Sequence, residues 1–295
     1  METLAIVPAL TMMLPALGPF LLTLVLLAGF GHLNRFRPFF RIPDDFAILS
    51  GILLTFGLFD PASLTHFSNP ERPMDWIPDL VTGTFIVRTL LSRVSGSRLL
   101  ATATELGAIA ASGLIILLPL MRQRSLVSGI VLFVLAFLVW VSLRLSFIPT
   151  SKGNVPSSLL LSAFLILATL SLISPLSGSL LLGQLSGGLA AVLAASLVFS
   201  LLKSSTVSGV EPGLALGALV LIGRYYAEIP VPVVASLLSA FPAASLGQYL
   251  AKRIPGRTRT GRLGQVLLPA LFSILPLSVA IAIAVRTLSS SEGGY

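Results

Sequence analysis

Residues 180–202 read LLLGQLSGGLAAVLAASLVFSLL, an apolar run that contains no charged side chain and ends at Lys203. An α-helix rises about 1.5 Å per residue, so a run of this length can cross a hydrocarbon core of roughly 30 Å. A helix is the expected conformation there because it satisfies its own backbone hydrogen bonds where water is absent. The stretch therefore predicts a membrane-spanning helix.

Comparable apolar runs recur along the whole chain and are separated by short polar or basic joints. We predict ten of them, at residues 4–31, 46–59, 79–92, 100–121, 126–148, 157–176, 180–202, 209–224, 229–250 and 264–287. The chain is 55% hydrophobic and 10% charged, with a mean hydropathy of +0.98, whereas a soluble domain carries about 25% charged residues. We expect an all-α, polytopic protein of the cell (inner) membrane with about ten transmembrane helices.

Two of the ten segments are short for a crossing. Residues 46–59 and 79–92 each hold about 14 residues, fewer than the roughly 17 that a membrane-spanning helix needs. They flank the longest polar joint, which runs from Asp60 to Pro78. They form either short tilted helices or re-entrant half-helices, and the second alternative leaves eight spans plus two re-entrant segments.

The distribution of Lys and Arg predicts the orientation. With the N-terminus outside, the inner joints hold most of the 19 basic residues and Arg88 lies within a segment, while the outer joints hold Arg72, Arg122, Arg124, Arg224 and Arg286. Basic residues concentrate on the cytoplasmic side of membrane proteins, so both termini are predicted outside. Basic residues at segment ends also contact anionic headgroups, so the predicted partners are membrane lipids rather than nucleic acid.

The segments also divide the chain into two parts of similar size. Residues 1–148 and residues 157–288 each hold five segments, a linker at 149–156 joins them, and a short polar tail follows at 289–295. Five spans per half place the second half upside down relative to the first, an arrangement that is common in secondary transporters. The count therefore predicts 5+5 inverted halves, although the halves share no residue-level identity.

Several classes of chemistry are excluded or disfavoured by composition. The chain has no cysteine, which excludes disulfides, thiolate catalysis and iron–sulfur ligation, and its two histidines, His32 and His66, fall in different joints. The motifs of phosphate-binding loops, nucleophile elbows and zinc proteases are absent. The sequence therefore identifies no cofactor and favours a non-enzymatic function.

The first candidate site is a pair of charges inside apolar segments. Arg88 and Glu105 lie about eight and nine residues on either side of Gly96, so both are about 12–13 Å from the turn of a helical hairpin. Adjacent antiparallel helices would bring them to the same depth as an ion pair. The pair is either a proton- or ion-coupled site or a structural lock of the hairpin.

The second candidate site lies in the eighth segment. Pro212 follows Glu211 and favours a helix break or a helix start, and Gly213 belongs to a run of glycines spaced by four residues that permits close helix packing. At the other end, Arg224 and Glu228 are four residues apart and are predicted to share a helical face. These groups form either a discontinuous substrate-binding helix or a packed helix with a polar belt at the membrane interface.

Three functions are compatible with these patterns. The favoured one is a secondary-transporter-like protein that moves a small solute past Arg88, Glu105 and the glycine-lined helix. The alternative is a non-catalytic subunit that holds other membrane protein subunits in a larger complex. A membrane enzyme acting on lipid-linked substrates would need the outer-joint residues Asp60, His66, Glu71, Asp75 and Asp79.

Overall fold

The computed structural model describes residues 16–30, 44–65, 72–94, 103, 106–108, 110, 111, 113–118, 157–203, 210–251 and 259–292. We number the helices α1 (Ala16–Phe30), α2 (Asp44–Phe59), α3 (Pro61–Thr65), α4 (Trp76–Val94), α5 (Leu106–Leu118), α6 (Ser157–Leu176), α7 (Leu180–Lys203), α8 (Val210–Tyr225), α9 (Val231–Ala251) and α10 (Arg259–Glu292). These described residues contain no strand, which confirms the all-α prediction.

The helices follow the predicted segments closely. Nine of the ten segments overlap a helix, and the tenth, 126–148, lies outside the described residues. α4 is longer than predicted, with 19 residues. It begins directly after Asp75 and holds Pro78 in its first turn, where the missing proline N–H has no intrahelical acceptor to lose.

Three helices are long and apolar enough, by length and composition, to cross a membrane. They contain Leu180–Ser200 in α7, Val231–Ala251 in α9 and Leu267–Thr287 in α10. The shorter apolar helices are Ala16–Phe30, Asp45–Phe59, Leu106–Leu118, Leu160–Leu176 and Pro212–Tyr225. The expectation of ten complete spans therefore stays a prediction for the remaining helices.

α7 is the most buried of the three candidate membrane-spanning helices. In its spanning window 61% of the residues are buried, against 33% in the windows of α9 and α10. Ile52 of α2, Leu167 of α6 and Leu219 of α8 belong to the same buried apolar cluster as Leu189 of α7. α9 and α10 instead keep large apolar side chains exposed, among them Leu246, Leu271 and Leu275.

Glycine permits the closest helix contacts around α7. A Cβ atom placed on Gly51 of α2 would lie 2.1 Å from Thr23 Oγ1 and 2.9 Å from Val192 Cγ2. A Cβ atom on Gly183 of α7 would lie 2.8 Å from the ring of Pro175 in α6. α1, α2 and α7 therefore meet at a point that has no room for a side chain, which fixes how α2 enters the bundle.

Candidate functional site

A group of charged and polar side chains lies in the joint between α2 and α4. The end of α2 continues into Asp60, whose N–H donates to Phe56 O at 2.8 Å, and α3 then presents Ser63. Asp75 immediately precedes α4. We call Asp60, Ser63, Arg72 and Asp75 the joint cluster.

Arg72 is the centre of the joint cluster. Its Nη2 donates to Asp60 Oδ1 at 2.9 Å and to Asp75 Oδ1 at 2.8 Å, and its backbone N–H donates to Asp75 Oδ2 at 2.8 Å. Ser63 Oγ lies 2.6 Å from Asp60 Oδ2 and 2.8 Å from Asp75 Oδ1. Both carboxylates are buried, whereas the Arg72 side chain is 46% exposed, so the cluster opens to the surface through its guanidinium.

The electrostatics favour the charged forms of this cluster. Burial acts to raise the pKa of Asp75, but hydrogen bonds from the side chain and backbone of Arg72 and from Ser63 outweigh it, so the pKa lies below its ordinary value. Hydrogen bonds to Asp75 and Asp60 raise the pKa of Arg72. The charged forms of Asp75 and Arg72 are therefore favoured together.

A second ion pair lies at the opposite end of the same helices. Arg88 Nη2 of α4 donates to Asp45 Oδ2 in the first turn of α2. Three phenylalanine rings lie beside this ion pair. The centroid of the Phe46 ring is 6.0 Å from that of Phe30 and 6.1 Å from that of Phe85. α2 and α4 are thus joined by charges at both ends.

The sequence contained a signal for the Asp45–Arg88 pair that sequence reasoning missed. Asp45 lies fifteen residues before Asp60, and Arg88 lies thirteen residues after Asp75. Because each residue of a helix adds about 1.5 Å, Asp45 and Arg88 lie at similar distances from the joint cluster on two adjacent antiparallel helices. The adjacent carboxylates Asp44 and Asp45 beside a basic joint are typical of an acidic helix start, and this pattern hides the pairing. Glu105 lies outside the described residues, so a contact between Arg88 and Glu105 stays a prediction.

The predicted helical face shared by Arg224 and Glu228 is wrong. α8 ends at Tyr225, and Glu228 adopts a left-handed backbone conformation with φ of 55°. Arg224 Nη1 instead lies 3.4 Å from Ile229 O, and its guanidinium lies 5.7 Å from the centroid of the Tyr225 ring. Glu228 is exposed and has no hydrogen-bond or ion-pair partner among the described residues.

The start of α8 is a helix start rather than a break. α8 begins at Val210, so Glu211 and Pro212 occupy its first turn, and the side chain of Glu211 is outside the described set. Nothing lies within 4 Å of a Cβ atom placed on Gly213, so the predicted close approach at this glycine is wrong. Pro212 instead lines a small apolar cavity with Ile52, Leu167, Leu189, Val192 and Leu193.

Tyr226, which directly follows α8, forms a hydrogen bond to α5. Tyr226 Oη donates to Ile116 O at 3.0 Å, across 110 residues of sequence. The structure therefore brings Asp45 together with Arg88, and Asp60 together with Arg72 and Asp75. It does not bring Arg88 and Arg224 into one site.

Within the described part of the chain, no group of three or more His, Asp or Glu side chains could hold a metal ion. No protein-family model matches this chain, and no curated protein or solved structure matches it. The charged groups of α2, α4 and the joint between them are therefore the candidate functional site.

Proposed function

We propose that this chain is a multi-pass membrane protein that translocates a small solute in the manner of a secondary transporter. Ten helices would cross the membrane, with both termini outside. The observation that carries the proposal is the set of charge pairs along α2 and α4, in which the buried carboxylate of Asp45 meets Arg88 and those of Asp60 and Asp75 meet Arg72. The other buried polar side chains of the described residues are uncharged serines and threonines. Ionisable groups at membrane depth are costly, and they commonly mark pathways for ions or substrates.

The path would follow the hairpin of α2 and α4. Arg88 and Asp45 would form its inner polar level and the joint cluster its outer one, with Glu105 as a further charged group near Arg88. Glu211 and Gly213 at the start of α8 would contribute from the neighbouring helix, because the first turn of a helix offers free N–H groups. Arg224 and Glu228 would lie at the outer surface of that helix.

A scaffolding subunit is the second candidate, and a separate observation favours it. The outer faces of α9 and α10 expose many large apolar side chains, and these could contact other membrane subunits as well as lipid. In that case the charge pairs would be structural locks.

Purification of the full chain from native membranes separates the two candidates. If it is a transporter, the protein is recovered alone, and at least one member of a panel of amino acids, sugars, nucleosides and inorganic ions raises its melting midpoint. Arg88→Gln should abolish that shift, whereas Arg286→Gln, a change at an exposed position of α10, should preserve it. Recovery with a partner in fixed stoichiometry and no solute-dependent shift would instead establish the scaffold.

A further inference from the structure

The two charged levels of the α2–α4 hairpin are close together along the membrane normal. Asp45 and Asp60 are fifteen residues apart, which corresponds to about 22 Å of helix. Asp75 and Arg88 are thirteen residues apart on α4, or about 20 Å. Both distances are about 8–10 Å less than the roughly 30 Å of hydrocarbon in an ordinary bilayer.

Aromatic side chains mark the same two levels. Trp76 is the first residue of α4 and follows the joint cluster, and tryptophan is enriched at membrane–water interfaces. The rings of Phe30, Phe46 and Phe85 gather beside Asp45 and Arg88. Phe30 is the last described residue of α1, so α1 contributes a ring at this level.

Lipid would contact this part of the protein directly. Ile86, Val87 and Leu90 of α4 are about half exposed, and they flank Arg88. The Arg72 side chain is 46% exposed at the other level. Acyl chains that cover Ile86 and Val87 lie between the two charged levels, and Leu90 continues the exposed apolar surface two residues past Arg88.

The helices on the other side of the bundle are longer than the spacing of these two charged levels. The apolar windows of α9 and α10 each hold 21 residues, which corresponds to about 32 Å of helix. The molecule therefore has a short flank at α2 and α4 and a long flank at α9 and α10. A bilayer of uniform thickness cannot match both flanks.

We propose that the bilayer is thinned along α2 and α4, and that this flank selects lipids with short acyl chains. The inference rests on the membrane location in the proposed function, but it does not depend on transport. Where the bilayer is thinner, headgroups and water reach Asp45, Arg88 and the joint cluster. These charges then stay outside the hydrocarbon.

Reconstitution of the full chain into phosphatidylcholine bilayers tests this inference. Monounsaturated chains of about 14, 18 and 22 carbons cover the relevant range of thickness. The wild-type melting midpoint should be highest in the shortest chains and lower by about 5 °C in the longest. In the variant Asp45→Leu with Arg88→Leu, the inner charged level is gone, so the optimum should shift to longer chains because the long flank then dominates.

Three outcomes are decisive. A wild-type optimum at the longest chains, or the same chain-length dependence in the wild type and the double variant, overturns the inference. If the leucine variant fails to fold, the pair Asp45→Asn with Arg88→Gln is measured instead and should show the same shift in a smaller amount. Loss of the wild-type protein from membranes on alkaline extraction overturns the membrane location itself, whereas a missing solute response overturns transport alone.

Discussion

The hairpin of α2 and α4 and the hairpin of α9 and α10 are held together by different interactions. In the first, carboxylates and guanidinium groups join the two helices at both ends. In the second, backbones touch, because a Cβ atom on Gly247 would lie 2.7 Å from Pro269 Cα and 3.1 Å from Leu268 O. The α2–α4 hairpin is therefore joined by charged side chains, whereas the α9–α10 hairpin is joined by close contact between backbones.

Hydroxyl groups supplement the contact between α9 and α10. Ser273 Oγ lies 3.0 Å from Pro269 O in its own helix, 3.2 Å from Ala240 O of α9 and 3.1 Å from Ser162 Oγ of α6. Ser273 and Ser162 are fully buried. A neutral network of this kind carries no charge into the apolar interior, so it costs little to place in the middle of long helices.

The largest effect is expected where the backbones touch. Gly247→Leu should lower the free energy of unfolding by about 3 kcal/mol, because the new side chain meets backbone atoms of α10 that cannot rotate away. The melting midpoint in detergent measures the loss. Gly83→Leu is the matched control, since nothing lies within 4 Å of a Cβ atom at this exposed position of α4. Equal losses in the two variants would contradict the close contact of α9 and α10.

A smaller effect is expected in the joint cluster. Asp75→Asn should cost about 2 kcal/mol, because it removes one of the two carboxylates that hold Arg72 while the partially exposed guanidinium keeps contact with water. The loss should appear as a lower melting midpoint near neutral pH. An unchanged midpoint would show that Asp60 alone is sufficient to hold Arg72.

The stability that Asp75 contributes to the joint cluster should depend on pH. The pKa of Asp75 is lowered in the folded protein from an ordinary value of 3.8. The ionised Asp75 therefore contributes its full stabilisation at a pH above its ordinary, unfolded-state pKa. That stabilisation is lost as the pH falls through the lower pKa of the folded protein. Between pH 7 and about 3 the wild type should lose stability more steeply than Asp75→Asn. Parallel curves for the two proteins would argue against this linkage.

The smallest effect is expected at the hydroxyl network. Ser273→Ala should cost about 0.6 kcal/mol, the average of interhelical hydrogen bonds within membranes. Ser278→Ala is the control, because Ser278 is exposed and donates to Leu275 O of its own helix. The two midpoints should differ by a measurable amount, and identical values would remove the network as a source of stability.

Sequence patterns predicted the helices well because apolar run length is a local property. α6 begins and ends where the apolar run at 157–176 begins and ends, and α7 extends the predicted segment by one residue. The end of α8 was missed by one residue, although the prolines at 230 and 232 signal that a helix cannot continue past them. Because α8 ends before Glu228, Arg224 and Glu228 do not share a helical face.

The charged groups were harder to predict because their partners are set by tertiary structure. Arg88 was recognised as a buried charge, but Asp45, 43 residues away, was not recognised as its partner. The joint cluster requires α3 to present Ser63 between Asp60 and Asp75. A helix of five residues leaves no periodic pattern in the sequence, so the joint appeared only as a polar loop.

The Asp45–Arg88 pair also has a consequence for biogenesis. If α2 and α4 cross the membrane as proposed, either residue alone opposes insertion of its helix, and pairing offsets part of that penalty for both. The two residues are 43 positions apart, and a ribosome needs about 2–9 s to make that length. We therefore expect α2 to be retained by the insertion machinery until α4 has been synthesised, so that the two helices enter the lipid together.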